Sequence, residues 1–286
     1  MSLARHEGAL RRILLEIAPY LDDVVVIGGW VPHLYQRYGG FTNWGARITL
    51  TGEVDLLVDR RIVPAGRLPL SEILRRAGFE PVESHGGFAV WERDIQAGES
   101  IEFLVAHQGT SLGEGNVVPI EDQKGLGAIS LEGLELLQRF KRQLTIPVLT
   151  TEGETLLDVW VPTLGAYVVN KASTYARRHE RVAGGNPKRA KDLLYLRDLM
   201  AAGAEVVAKI EEDLCEIVDE DHRFRQRVCH ARNTLYLSIG GAYQSLLPEV
   251  ARMLVEREPS LDSEAAEADV RGHLTDLVEI LEEISD

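Results

Sequence analysis

Two carboxylates lie two residues apart within an apolar pattern, in the segment EVDLLV of residues 53–58. Because side chains alternate between the two faces of a strand, Glu53 and Asp55 project in the same direction, with Cα atoms about 6–7 Å apart. Such a pair can bind one or two hard cations, with phosphate oxygens and water completing the octahedral coordination of Mg²⁺. The spacing therefore indicates metal-assisted phosphoryl chemistry. The plainer alternative is one hydrogen-bonded and one solvated carboxylate.

A third carboxylate from a neighbouring strand usually completes a site for two-metal phosphoryl chemistry. Glu102 suits this position because it lies in the apolar pattern IEFLV of residues 101–105, which is typical of a later strand. We therefore expect Glu53, Asp55 and Glu102 to be catalytic residues and metal ligands. The residues that compete for the third position are Asp59, Glu92 and Asp94.

A pair of glycines, Gly28 and Gly29, follows the apolar run VVVI of residues 24–27. Glycine lets the backbone approach a phosphate closely, and the helix expected to follow offers N-terminal N–H groups and a dipole. We expect Gly28 and Gly29 to bind the phosphates of a nucleotide. On its own, the same dipeptide often marks a tight turn and nothing more.

The net charge of −14, from 45 acidic and 31 basic residues, is unevenly distributed along the chain. Residues 205–286 contain 20 acidic and eight basic residues, whereas residues 171–191 contain seven basic residues and one acid. The overall acidity argues against a general nucleic-acid coat and leaves room for one focused anion site. The basic residues that could bind a triphosphate or an RNA backbone are Arg177, Arg178, Arg181, Lys188, Arg189 and Lys191. They could equally form a charged surface offset by the acidic C-terminal helices.

Size and composition exclude several classes of protein. A chain of 286 residues suits one large domain or two ordinary ones, and no stretch approaches the roughly 20 apolar residues that a membrane span needs. The N-terminal segment has the pattern of an amphipathic helix, not of a signal peptide. With two cysteines, a disulfide framework or a zinc site is not expected. We expect a cytoplasmic protein.

The periodicity of apolar residues predicts an α+β head and a mainly helical tail. Helices are predicted over residues 4–20, 30–38, 70–77 and 131–138, and strands over 24–27, 47–58, 79–84, 87–92 and 100–105. The Gly-rich stretch 107–130 has the pattern of a linker or long loop, and residues 143–162 that of a hairpin. We predict a head over residues 1–108, a connecting segment with a helix and a hairpin over 109–162, and a helical domain over 163–286.

Together these residues resemble the DNA-polymerase-β-like nucleotidyltransferase superfamily. Its mark is an apolar residue before Gly-Gly or Gly-Ser, followed some tens of residues later by T-x-D-h-D-h, where h is apolar. The matching segments here are Ile27-Gly28-Gly29 and TGEVDL of residues 51–56. The resemblance implies a mixed sheet with flanking helices, an NTP such as ATP as substrate, and Mg²⁺ as cofactor, with a two-metal site as one option.

Within the superfamily, the chain most resembles the AbiEii-type nucleotidyltransferases, which include toxin components of bacterial toxin–antitoxin pairs. Those proteins carry a lysine on one helix, then arginines, then K/R-D before an apolar helix; the matching positions are Lys171, Arg177, Arg178, Lys191 and Asp192. The resemblance implies that Lys171 binds the triphosphate, whereas without it Lys171 would be read as a solvated helix lysine. Asp192 could orient a basic side chain, or it could cap the next helix, which we favour.

The chain departs from the superfamily pattern at two positions. Glu53 stands where the pattern usually has Asp, which moves the carboxylate outward by one methylene and can disturb octahedral Mg²⁺ geometry. Gly29 stands where Ser is frequent, which removes a hydroxyl that could bond phosphate. Glu53 therefore bears on turnover more than on nucleotide binding.

The sequence leaves two functions to weigh. The first is Mg²⁺-dependent transfer of NMP from an NTP to an acceptor, with RNA or tRNA as a candidate. The alternative is a catalytically weak or inactive nucleotide-binding module that regulates a toxin–antitoxin or defence pair, with an antitoxin or another protein as partner. Most tryptophans are expected to pack in the core or at its rim, while Phe41 and Trp44 are candidates for a nucleobase contact. The pattern does not specify the oligomeric state.

Overall fold

The computed structural model describes residues 3–48, 52–84, 87–94, 99–107, 115–181, 187–240 and 246–285. Contacts between Cα atoms divide the chain into two compact units. The first contains Met1–Gly40 and Leu50–Pro162, and the second contains Phe41–Thr49 and Thr163–Asp286.

The first unit combines helices with a sheet. Its helices are α1 (Leu3–Glu16), α2 (Val31–Tyr38), α3 (Leu70–Arg76) and α4 (Leu134–Arg139). Its strands are β1 (Val24–Ile27), β2 (Glu53–Val58), β3 (Glu80–Ser84), β4 (Gly87–Asp94), β5 (Glu99–Ala106), β6 (Val117–Pro119), β7 (Gly127–Leu131), β8 (Lys141–Thr150) and β9 (Gly153–Pro162). Short 3₁₀ turns over Ala18–Asp23 and Gly28–Trp30 flank β1.

In the described part of the chain, nine strands form one mixed sheet in the order β3-β4-β5-β2-β1-β9-β8, with β7 beside β5 and β6 beside β7. The central strand β2 runs antiparallel to β1 and parallel to β5. Val54, Leu56 and Phe103 of β2 and β5 are at most 1% exposed, which places the core against one face of these strands. The opposite face at the start of β2 carries the carboxylates.

The α+β class predicted from the sequence is confirmed, one predicted element is wrong, and another begins later than predicted. Residues 107–130, predicted as a linker or long loop, contain β6 and β7 in a segment whose glycines obscure its period. Strand β7 pairs in parallel with β5, and β6 pairs antiparallel with β7. The strand predicted over residues 47–58 begins at Glu53, with residues 49–51 outside the described ranges. Residues 41–48 instead belong to the second unit, where the Gly45 N–H donates to the Ala202 carbonyl at 2.9 Å.

The second unit is helical. Its helices are α5 (Leu164–Arg181), α6 (Pro187–Met200), α7 (Ala204–Glu220), α8 (His222–Gly240), α9 (Leu247–Arg257) and α10 (Ser263–Ser285). Helix α5 packs against α6, α7 and α8, and α10 packs against α8 and α9. The predicted three-part division of the chain stays a prediction; residues 115–162 lie with the sheet of the first unit.

Candidate active site

A row of paired residues crosses the middle of the sheet and brings two of the predicted carboxylates together. Asp55 of β2 is paired with Glu102 of parallel β5 and, on the other side, with Ile27 of antiparallel β1. Residues paired across neighbouring strands point to the same face, and neighbouring strands lie about 4.8 Å apart. Asp55 and Glu102 are both half-buried, so the two residues lie on one face of adjacent strands within reach of solvent.

Glu53 lies on the same face, one row closer to the start of β2. It is paired with Ser100, which is paired in turn with Glu92 of β4. Glu53 is exposed, in contrast to half-buried Asp55. The sheet therefore places Glu53 next to Asp55 along β2, and places Glu92 on β4, two strands from β2 and one strand from Glu102.

The other two competing carboxylates are less well placed. Asp59 is exposed, follows the end of β2, and accepts a hydrogen bond from Gln138. The side chain of Asp94 lies outside the described residues. Of the four residues considered for the third carboxylate position, Glu102 is the one that the strand register pairs directly with Asp55.

The glycine turn contacts the acidic row directly. Gly28 has φ +71°, a left-handed conformation that L side chains rarely adopt, and an ideal Cβ at this position would lie 1.8 Å from Oδ2 of Asp55. Only glycine therefore fits between the end of β1 and the carboxylate. Gly28 of the turn and Asp55 of the strand, which 26 residues separate in the sequence, are therefore in direct contact.

Trp30 ties the same turn to β2 through its side chain. The residue is 1% exposed, and its indole Nε1–H donates to the carbonyl oxygen of Glu53 at 2.9 Å. The expectation that Trp30 packs in the core is confirmed, but the sequence carries no signal for this hydrogen bond. Trp91 of β4, also expected to pack, is 0% exposed.

His33 lies beside Trp30, with the ring centroids 5.6 Å apart in an edge-to-face arrangement. It is 1% exposed, and neither ring nitrogen has a hydrogen-bond partner among the described residues. Burial lowers the pKa of His33; Glu7 raises it, while Arg37 and Arg11 lower it further. The ring is therefore buried in its neutral form behind the turn.

Metal binding by the predicted carboxylates stays a prediction. Among the residues that the structure describes, no group of three or more His, Cys, Asp or Glu side chains is placed to hold a metal ion. The adjacent pair Asp55 and Glu102 nevertheless suits Mg²⁺, which commonly takes one or two protein carboxylates and fills its remaining positions with phosphate oxygens and water. The ligand set of three carboxylates, with Glu53, stays a prediction.

In the second unit, Lys171 is buried with a carboxylate. Its Nζ donates to Oδ1 of Asp192 at 2.9 Å, and the two residues are 8% and 2% exposed. The rings of Tyr167 and Tyr195 lie 5.6 and 5.3 Å from the ammonium. Lys171 is therefore not a solvated helix lysine, and its triphosphate-binding role stays a prediction.

Asp192 does not cap a helix. Helix α6 begins at Pro187, so Asp192 lies inside it, and its carboxylate binds Lys171 across to α5. The capping interpretation is wrong; the aspartate orients a basic side chain instead. Lys191, next to it, lies 5.8 Å from the ring of Tyr195.

Two arginines and two aromatic residues are the remaining candidates for contact with a nucleotide. Arg177 and Arg178 belong to α5, but their side chains lie outside the described residues. Phe41 and Trp44, the candidates for a nucleobase contact, pack edge-to-face on each other with centroids 5.6 Å apart. Both assignments stay predictions.

A family model described as a nucleotidyltransferase matches residues 7–216, which is more than half of the chain. No curated protein and no solved structure matches the chain. Within the described ranges, none of the helices has the length and apolarity that crossing a membrane requires.

Proposed function

Because the chain belongs to the nucleotidyltransferase family whose model matches residues 7–216, we propose that it transfers NMP from an NTP to an acceptor hydroxyl or phosphate at the Asp55–Glu102 pair. The observation that carries the proposal is the register that pairs Asp55 with Glu102 on adjacent strands, with Gly28 packed onto the Asp55 carboxylate. Two carboxylates and a glycine turn are the parts that phosphate and metal handling require.

In this proposal Asp55 and Glu102 hold Mg²⁺, and exposed Glu53 is the third ligand. The bound metal would withdraw charge from the phosphate oxygens and steady the departing pyrophosphate. The acceptor oxygen attacks the α-phosphorus, the bond to the β-phosphate breaks, and pyrophosphate leaves. The carboxylate oxygen of Glu102 that faces away from the metal would accept the proton of an acceptor hydroxyl.

The triphosphate needs donors as well as a metal. We propose that the backbone of Gly28 and Gly29 faces the phosphates and that Lys171, with Arg177, Arg178 and Lys191, adds positive charge. The support is the resemblance to AbiEii-type proteins together with the seven basic residues within 171–191. The pair with Asp192 leaves further N–H donors on the Lys171 ammonium, since a lysine has three.

We propose RNA, including tRNA, as the first acceptor class to test, as in toxin-like nucleotidyltransferases. The support is the basic segment 171–191 in an otherwise acidic chain, because neutralising phosphates releases counterions. Membership of a toxin–antitoxin pair, with an antitoxin partner, belongs to the same proposal.

The alternative is a module that binds an NTP without transferring NMP. Glu53 favours it, because this residue stands in place of the usual Asp and is exposed at the edge of the carboxylate row. Calorimetry with NTP and Mg²⁺ separates the two functions: this version predicts binding without pyrophosphate release over a wide set of acceptors.

The test is incubation of the protein with each α-labelled NTP, Mg²⁺ and total cell lysate, followed by separation of RNA, protein and small molecules. If the protein transfers NMP, one of the three fractions should become labelled. This label should be absent when a chelator is added and when the Asp55→Asn variant is used. A labelled product that persists in the Asp55→Asn variant would assign the reaction to another protein or another site. Binding of NTP with no labelled product in any class would support the module without turnover.

A further inference from the structure

We propose that Trp30 is a positioning residue, whose indole N–H sets the distance between the glycine turn and the carboxylate strand. This inference rests on the proposed function, because it concerns the step for which turn and carboxylates must act together. Trp30 directly follows Gly29, and its Nε1–H donates to the Glu53 carbonyl at 2.9 Å. The bond thus joins the two halves of the candidate site.

This hydrogen bond lies just beyond the end of the pairing between β1 and β2. Strands β1 and β2 pair from Val24 with Val58 to Ile27 with Asp55, and Glu53 lies beyond the last of these pairs. On the side of β1, the Trp30 indole therefore donates a hydrogen bond to β2 just beyond the last backbone pair between the two strands. The indole binds the backbone carbonyl of Glu53, a predicted metal ligand. Asp55, another predicted metal ligand, lies two residues further along β2.

The chain between the two halves does not supply this constraint locally. Of the 22 residues between Trp30 and Glu53, the segment Phe41–Thr49 belongs to the second unit. No short loop therefore fixes the start of β2 relative to the turn. Within the first unit, β2 is held by pairing with β1 and β5, and the bond from buried Trp30 joins its first residue to the turn.

A matched pair of tryptophans allows the hydrogen bond to be separated from packing. Trp91 is also fully buried, but its Nε1 has no hydrogen-bond partner among the described residues. It is paired with Ile101, so it points to the face opposite Asp55 and Glu102. Trp30→Phe and Trp91→Phe each remove a similar volume from the core, whereas only Trp30→Phe removes an N–H···O=C bond.

The kinetic test measures pyrophosphate release from NTP and Mg²⁺ in both variants, with the acceptor class that the labelling experiment identifies, well below the unfolding temperature of each. We expect Trp30→Phe to lower kcat about tenfold or more, with KM for the NTP changed much less, because misplacement affects the step that needs both halves. We expect Trp91→Phe to keep the kcat of the unsubstituted protein. Equal kcat in Trp30→Phe and the unsubstituted protein, or an equal fall in both variants, would overturn the inference.

A second measurement does not depend on turnover. Hydrogen–deuterium exchange should be several-fold faster over residues 53–58 in Trp30→Phe, and unchanged there in Trp91→Phe. If the unsubstituted protein releases no pyrophosphate, the proposed function fails and the exchange result alone decides the role of Trp30. Unchanged exchange over residues 53–58 in Trp30→Phe would show that the indole bond does not hold β2.

Discussion

Gly28 and Asp55 occupy adjoining space so closely that a Cβ on the first would lie 1.8 Å from a carboxylate oxygen of the second. The left-handed φ of Gly28 and this contact act on the same residue, so two independent constraints select glycine there. The carboxylate orientation at the candidate site therefore depends on the absence of a side chain in the turn. The Asp55 carboxylate thus excludes a side chain at position 28, and a side chain at position 28 would displace the carboxylate.

Gly28→Ala should inactivate the protein without unfolding it. The new methyl group must displace the Asp55 carboxylate, and misplacement of a reacting group by about 1 Å can cost about a hundredfold in rate. The left-handed φ should in addition lower the free energy of unfolding by about 1–2 kcal/mol. Pyrophosphate release and urea unfolding measure the two effects.

Gly66→Ala is the matched control for that substitution. Gly66 has φ +86°, and nothing lies within 4 Å of an added Cβ. We expect a comparable loss of stability with activity retained. If Gly66→Ala lost as much activity as Gly28→Ala, general strain and not contact with Asp55 would be the cause.

His33 should make the stability of the first unit depend on pH. Burial lowers its folded-state pKa below 6.5, so above about pH 6.5 the ring is neutral in both states. Below that pH the unfolded chain binds a proton that the folded chain does not. The free energy of unfolding should then fall as pH falls towards the lowered pKa, by at most about 1.4 kcal/mol per pH unit.

The His33→Phe variant tests this dependence, because it keeps an aromatic ring beside Trp30 and cannot be protonated. Urea unfolding, followed by tryptophan fluorescence at pH 7.5 and 5.5, should show a smaller loss of stability in the variant than in the unsubstituted protein. An unchanged difference between the two pH values would assign the acid sensitivity to other groups.

The Lys171–Asp192 pair should show strong energetic coupling. Removing one partner of a buried ion pair leaves an uncompensated charge and typically costs about 3–5 kcal/mol, whereas replacing both with apolar residues is often close to neutral. We expect Lys171→Met and Asp192→Leu each to destabilise the second unit strongly, and the double variant to regain most of the loss. Additive losses in thermal unfolding would contradict coupling.

Glu53 should contribute less to catalysis than the Asp55–Glu102 pair. Because Glu53 is exposed, water screens its charge more than that of half-buried Asp55, which reduces what it adds. We expect Glu53→Gln to slow pyrophosphate release about tenfold, compared with about a hundredfold or more for Glu102→Gln. Glu92→Gln, which alters an acid two strands from Asp55, is the control. The reverse order of Glu53 and Glu102 would make Glu53 the principal ligand.

Local sequence signals predicted the parts of the fold that depend on local chemistry. The apolar run at 24–27, the Gly28-Gly29 turn and the period-two pattern around Asp55 each form the expected element. The register that pairs Asp55 with Glu102 does not follow from the sequence alone. The two residues are separated by 46 others, and the order of strands in the whole sheet determines which strands pair. The strands at 117–119 and 127–131 were missed for the same reason.

Side-chain contacts were the least predictable part of the site. The alternation of side chains along a strand predicts the face on which Glu53 lies. It does not predict that the Glu53 carbonyl accepts a hydrogen bond from the Trp30 indole. A capping preference suggested one role for Asp192, and the buried ammonium of Lys171 decided another. In both cases a partner distant in sequence determines the role, and a single sequence carries no record of that partner.

Comparison of Asp55→Asn with Asp59→Asn tests the central claim most directly, because the two aspartates lie four residues apart and point to the same face by parity. Asp55 is paired with Glu102 and touches Gly28, whereas Asp59 is exposed beyond the strand and bound by Gln138. In single-turnover transfer of labelled NMP with Mg²⁺, we predict that Asp55→Asn abolishes product and that Asp59→Asn leaves it unchanged. Full transfer by a folded Asp55→Asn variant would contradict the account.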